Sequence, residues 1–141
     1  MYNSVLIHTA RIRVRYKETD KMGLVYHANY FTWFEIARIE LLDELGCPYA
    51  ELEKEGFLLP VLSCNATFHL PAFFDDRLDV EVKIEEMPLV RIKASYEVRR
   101  NTDLIATGAT QHAFVTGTGK VVRPPQSFID LAKNKFGHQF S

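Results

Sequence analysis

Several classes of protein are excluded by what this chain lacks. Among its 141 residues cysteine occurs only twice, and Cys47 and Cys64 form neither a Cys-x-x-Cys pair nor a spacing typical of metal ligands. No apolar run approaches the ~20 residues of a membrane span, and the first residues lack the apolar stretch of a signal peptide. We therefore expect a cytoplasmic protein without a disulfide framework or integral membrane association, whose two cysteines are small core residues.

The chain also lacks an excess of one charge and any sign of division. Lys and Arg total 17 against 18 for Asp and Glu, which leaves a net charge of −1. Nothing global therefore attracts nucleic acid or an anionic membrane. No repeat, low-complexity tract or Pro/Gly-rich linker is present, and the composition is that of a globular protein. We expect a single domain over residues 1–141.

The first half of the chain changes its hydrophobic period once. Residues 11–16 alternate charged and apolar side chains, which is typical of a half-buried strand. From Ala28 to Leu45 the period is helical, but apolar residues occupy more than one face, so we expect a helix enclosed by other structure. Glu35 on such a helix requires a partner, for which Arg38 is suitably spaced. A short second helix is predicted at residues 48–55.

After Gly56 the pattern is that of strands. Strands are predicted at residues 57–70, 78–85, 90–99 and 104–115, and a short helix follows Pro124 and Pro125. This order predicts an α+β fold, with a mainly antiparallel sheet wrapped around the long helix and a meander as its simplest strand order. Such a sheet leaves an edge strand that needs cover, so we expect a homodimer, with a homotetramer as the further alternative.

Chemistry is indicated at residues 16–30, a polar connection into the long helix. Asp20 lies in a turn with Gly23, and a carboxylate there is placed to attack a carbonyl carbon or to activate a water beside it. The helix N-terminus near His27 offers unpaired N–H groups to an oxyanion. Structural alternatives stay open, because Asp20 suits the start of a turn and His27 the start of a helix. Metal ligation by Asp20, His27 and Glu35 lacks a compact ligand spacing.

The same segment resembles a known family. Residues 16–42, YKETDKMGLVYHANYFTWFEIARIELL, are similar to the N-terminal motif of the hotdog thioesterases related to 4-hydroxybenzoyl-CoA thioesterase, including the Tol-Pal-associated acyl-CoA thioesterases. The resemblance implies a hotdog fold and acyl-CoA as substrate, with no metal and no cofactor. It also implies a pocket between two subunits.

Carried over by position, the family's catalytic aspartate is Asp20, and the backbone N–H that polarises the thioester carbonyl belongs to His27. Tyr16 and Tyr26 would border the same site. In the family, basic side chains at the surface hold the coenzyme A phosphates, and Arg91 and Lys93 lie nearest to that position in this sequence. Two alternatives to hydrolysis are hydratase or dehydratase chemistry on an acyl thioester, and acyl-CoA binding without catalysis. The acyl group itself is not predicted.

Overall fold

The structure, a computed structural model, describes residues 5–136 as one antiparallel sheet and three helices. Residues 1–4 and 137–141 of the predicted domain lie outside this range. The elements in chain order are β1 Leu6–Arg13, α1 Asn29–Leu45, α2 Tyr49–Lys54, β2 Val61–Phe68, β3 Arg77–Ile84, β4 Ile92–Arg100, β5 Asp103–His112 and α3 Gln126–Phe136. The predicted α+β class is confirmed. Within residues 5–136 no helix has the length and apolar character needed to span a membrane.

The strand order is β1-β3-β4-β5-β2, and every pairing is antiparallel. The expectation of a meander therefore holds only for β3 to β5. Because β1 pairs along the whole of β3, from Leu6 opposite Ile84 to Arg13 opposite Arg77, β2 has no free edge there and joins β5 instead. This arrangement makes β2 the second edge of the sheet.

Helix α1 packs on the inner face of the sheet. Phe34 stacks on Tyr96 of β4, with ring centroids 4.2 Å apart, and both side chains are buried. The backbone of Gly108 on β5 approaches the Phe34 ring so closely that a β-carbon there would lie 2.5 Å from a ring carbon. A glycine is required at this contact because the ring occupies the space of a side chain.

Two details of α1 and β1 differ from the expectation. Glu35 is exposed and does not pair with Arg38, whose guanidinium donates to the Tyr96 hydroxyl at 3.2 Å.

Strand β1 ends at Arg13 instead of continuing through Tyr16. Residues 16–18 form a single 3-10 turn, since the Arg15 N–H leaves the sheet and donates to the Glu18 carboxylate at 2.7 Å.

The edge strand β2 departs most from its predicted burial. It covers residues 61–68 of the predicted 57–70, and seven of its eight residues are exposed. Cys64 is among them, so the prediction that both cysteines lie in the core is wrong for this one, while Cys47 is buried. The apolar composition of β2 gives no warning of this, because composition does not distinguish a sheet edge from its centre.

Candidate active site

A four-residue turn presents Asp20 to solvent. The Asp20 N–H donates to the Leu24 carbonyl at 2.7 Å, and the Gly23 N–H donates to the Asp20 carbonyl at 3.0 Å. Gly23 adopts a φ of 82°, a left-handed conformation that favours glycine. Thr19 pairs with Val25 just outside the turn, so the two flanking segments run antiparallel as a small hairpin.

The two oxygens of the Asp20 carboxylate have different surroundings. Oδ1 accepts the N–H of Met22 at 2.8 Å and the N–H of Leu24 at 3.1 Å. Oδ2 accepts no hydrogen bond from residues 5–136. The structural alternative for Asp20 is therefore confirmed for one oxygen, which stabilises the turn. The same bonds fix the orientation of the carboxylate and leave its other oxygen available.

The start of α1 provides N–H donors beside this hairpin. The N–H groups of Asn29 and Tyr30 donate to the carbonyls of Tyr26 and His27, at 3.0 and 3.2 Å. Within the described part of the chain, the N–H groups of His27 and Ala28 donate to no acceptor. Unpaired N–H groups together with the helix dipole give this end a partial positive charge, which suits an oxygen that acquires negative charge.

Glu18 connects the hairpin to the helix. Its carbonyl accepts the Tyr26 N–H at 2.9 Å and the Asn29 side-chain amide at 2.8 Å. Its buried carboxylate accepts the Arg15 N–H at 2.7 Å and the indole N–H of Trp33 at 3.0 Å. The sequence reasoning assigned no role to Glu18, because nothing in a run of polar residues marks one of them as buried.

An open cleft of about 680 Å³ lies in front of Asp20. Tyr16 and Tyr26 line it, as expected, and so do two lysines that the sequence reasoning had not selected, Lys17 and Lys21. Among residues 5–136, neither lysine has a carboxylate within ion-pair distance. The cleft therefore combines an oriented carboxylate with two unpaired cations and two aromatic rings.

A second cavity, mainly apolar and about 300 Å³ in volume, has His27 in its wall. The loop after β2 forms much of the rest, and this loop is held by the Val25 N–H donating to the Ala72 carbonyl at 2.9 Å. Apolar side chains line the interior, including Leu24, Val25, Tyr30, Phe68 and Leu70. Burial raises the pKa of Tyr30 to about 12, so its hydroxyl stays protonated at neutral pH.

The structure does not bring Arg91 and Lys93 to either cavity. Both are exposed, and Lys93 lies on the outer face of β4, opposite α1, beside Glu85 and Glu86. In a single subunit Lys93 is therefore separated by the sheet from the face that carries α1, and Arg91 lies in the bend before β4 and lines neither cavity. Among the described residues, no group of three or more His, Cys, Asp or Glu side chains is arranged to hold a metal ion.

The chain is similar to known proteins in sequence and in fold. A family model described as the thioesterase-like superfamily matches residues 14–131. Over 128 residues, 90% of this chain and 92% of that protein, the chain is 34% identical to the acyl-CoA thioesterase YbgC of Haemophilus influenzae.

Two solved structures superpose on most of the chain. A DHNA-CoA thioesterase from Staphylococcus aureus has 33% identity and a TM-score of 0.86, covering 94% of this chain and 91% of its own. A hypothetical protein from Thermus thermophilus has 32% identity and a TM-score of 0.85, covering 92% and 97%. The resemblance seen in residues 16–42 is thus confirmed: the chain belongs to the thioesterase-like superfamily and is a hotdog-fold thioesterase.

Proposed function

We propose that this protein hydrolyses acyl-CoA thioesters to the free acid and coenzyme A, with Asp20 as the reacting carboxylate. The observation that carries the proposal is the asymmetry of that carboxylate. Oδ1 is held by two backbone N–H groups, and Oδ2 is free beside an open cleft. An oriented oxygen with an unused lone pair can attack a carbonyl carbon or take a proton from water. The YbgC relative, named as an acyl-CoA thioesterase, supports this substrate class.

The oxyanion formed from the thioester carbonyl would be stabilised by the start of α1. The His27 N–H has no acceptor in residues 5–136, and it lies two residues before the first helical residue, Asn29. A donor already in place at the position where charge develops stabilises the transition state without reorganisation. The His27 side chain lines the apolar cavity, which favours a contact with the acyl group over proton transfer at the thioester.

The two cavities suit the two halves of the substrate. The apolar cavity beside α1 would receive the acyl group, because burying apolar surface drives its binding. The cleft with Tyr16, Tyr26 and the two lysines would receive the pantetheine and phosphate part of coenzyme A. This assignment differs from the one carried over by resemblance, in which Arg91 and Lys93 hold the phosphates.

We propose a homodimer formed through β2. An eight-residue edge leaves backbone N–H and C=O groups unpaired, and a second copy of the same strand can pair with them about a two-fold axis. Leu62, Cys64 and Phe68 are exposed along this edge, and the partner would cover them. Since Phe68 also lines the apolar cavity, the acyl site would lie between the subunits. Sedimentation equilibrium tests the proposed dimer, and a monomer at micromolar concentration would contradict it. A homotetramer would require two such dimers to associate.

Replacing Asp20 by Asn is the test of the chemistry. The Asn oxygen can still accept the N–H groups of Met22 and Leu24, so the turn is preserved while the negative charge is removed. We expect thiol release from acyl-CoA to fall by about 10²-fold or more, the usual contribution of a general base or nucleophile. Asp43→Asn is the matched control, since Asp43 is an exposed carboxylate at the other end of α1.

Wild-type turnover by a folded Asp20→Asn protein would contradict the mechanism. Acyl-CoA binding without thiol release would favour a binding protein instead, and hydration of an enoyl-CoA would favour the hydratase alternative. Single turnover in H₂¹⁸O tests the nucleophilic role of the carboxylate. A nucleophile forms a mixed anhydride, and attack of water on its Asp20 carbonyl carbon places ¹⁸O in the Asp20 side chain and an Asp20 oxygen in the product acid. A general base leaves Asp20 unlabelled and places the ¹⁸O in the product acid.

A further inference from the structure

We propose that Glu18 is a positioning residue for the reaction: its carboxylate holds the Asp20 hairpin against the first turn of α1, so that Asp20 and the His27 N–H keep their relative placement. This inference rests on the proposed thioester hydrolysis. It concerns a side chain that does not line the Asp20 cleft and touches no reacting group. Glu18 would therefore act only through the backbone that it fixes.

The Glu18 carboxylate connects the 3-10 turn that leads into the hairpin to helix α1. It accepts the N–H of Arg15, at the start of that turn, at 2.7 Å, and the Arg15 guanidinium lies 3.4 Å away. On the helix side it accepts the Trp33 indole N–H at 3.0 Å, and Trp33 is only 1% exposed. Glu18 itself is 4% exposed. A buried carboxylate with donors on two elements is a rigid connection between them, because each lost bond leaves a buried charge less satisfied.

The backbone of the same residue extends this connection to the reacting groups. The Glu18 carbonyl accepts the Tyr26 N–H at 2.9 Å, and Tyr26 immediately precedes His27. Asp20 follows Glu18 by two residues in the chain, and the Asp20 N–H donates to the Leu24 carbonyl. A rotation of the Glu18 peptide would thus change the position of the Asp20 carboxylate relative to the His27 N–H. Displacements of about 1 Å between reacting groups lower rates by about 10²-fold.

Only a carboxylate satisfies this arrangement. Within residues 5–136, every group that hydrogen-bonds to Glu18 Oε1 or Oε2 is an N–H donor. Gln at this position would turn its NH₂ group toward either the Arg15 N–H or the Trp33 indole N–H, and two donors repel each other. Burial alone would raise the pKa of Glu18, but the hydrogen bonds from Arg15 and Trp33 outweigh it and lower the pKa, so the side chain is ionised at neutral pH.

Trp33 provides a readout that is independent of turnover. It is the only tryptophan among the 141 residues, so all tryptophan fluorescence of the protein comes from the indole that donates to Glu18. Loss of that hydrogen bond should change its emission maximum and intensity. Acid titration of the wild type should produce the same change as Glu18 becomes protonated, and Glu18→Gln should abolish that transition.

The experiment compares Glu18→Gln with the wild type in steady-state thiol release, under conditions where both are folded. We expect kcat to fall by about 10- to 100-fold, while KM for acyl-CoA changes little because the cleft and the apolar cavity keep their side chains. Ile129→Val is the control for general destabilisation. Ile129 is buried on α3 and lines neither cavity, so this variant should lose some stability and keep its kcat.

The outcomes separate the two proposals. A wild type without thiol release on any acyl-CoA refutes the proposed function, and the role of Glu18 with it. An active wild type and a folded Glu18→Gln protein with unchanged kcat refute only the role of Glu18, leaving it structural. If Glu18→Gln does not fold, Trp33→Phe removes one donor and keeps the charge. We then expect a several-fold loss of kcat, and a folded Trp33→Phe protein with wild-type kcat would refute the proposal.

Discussion

Replacing Gly108 by Ala is expected to destabilise the protein through one contact between α1 and the sheet. The new β-carbon would lie 2.5 and 2.6 Å from two ring carbons of Phe34 and 2.8 Å from the Asn65 carbonyl oxygen. Ordinary van der Waals contacts of a β-carbon begin near 3.4 Å. The overlap is therefore close to 1 Å against the ring and more than half an ångström against a backbone atom.

Neither neighbour can move away at low cost. Phe34 is completely buried and stacked on Tyr96, and the carbonyl of Asn65 belongs to β2, which is paired with β5 through this position. Overpacking of this kind costs about 1–3 kcal/mol. For a domain of this size that corresponds to a decrease in melting temperature of roughly 3–12 °C.

Urea unfolding at one fixed protein concentration measures the effect, since dimerisation makes stability depend on concentration. Gly117→Ala is the matched control, because a β-carbon there meets nothing within 4 Å and its φ lies outside the left-handed region. We expect its free energy of unfolding to stay within about 0.5 kcal/mol of the wild type. A Gly108→Ala midpoint equal to that of the wild type would show that α1 does not pack on β5 as described.

Two further predictions concern ligand binding and pH. Lys17→Ala and Lys21→Ala should each raise KM for acyl-CoA several-fold in a salt-dependent manner, because these cations line the Asp20 cleft without carboxylate partners; a larger effect from Arg91→Ala or Lys93→Ala would contradict this placement of the phosphates. Burial and the nearby Arg38 charge lower the pKa of His112 from 6.5 to about 4. Its contribution to stability is therefore complete above about pH 6.5 and is lost as pH falls toward 4, by up to about 3 kcal/mol in total. When urea unfolding is measured from pH 7 to 4, the free energy of unfolding should depend less on pH for His112→Gln than for the wild type. Parallel curves for the two proteins would contradict this role of His112.

Local patterns were enough to predict most of the elements. The helical period over residues 28–45 and the alternation in β3 and β4 depend on which side chains face the core, and a sequence records that directly. The Asp20 turn followed by a helix start was predictable for the same reason, since Gly23 and the change of period lie within a few residues. The strand at residues 11–16 was misplaced, because a hydrogen bond from the Arg15 N–H to the Glu18 side chain competes with the sheet and leaves no trace in the pattern.

By itself the sequence determined the α+β class, the family and the identity of the reacting carboxylate that we propose. Tertiary structure decided that β2 is an edge strand, and that Lys17 and Lys21 border the Asp20 cleft. It also decided that Glu18 is buried and accepts a hydrogen bond from Trp33. It also separated Arg91 and Lys93 from that cleft within one subunit. These features depend on which distant segments meet, and a hydrogen bond or a cavity wall formed by residues far apart in the chain has no local signal.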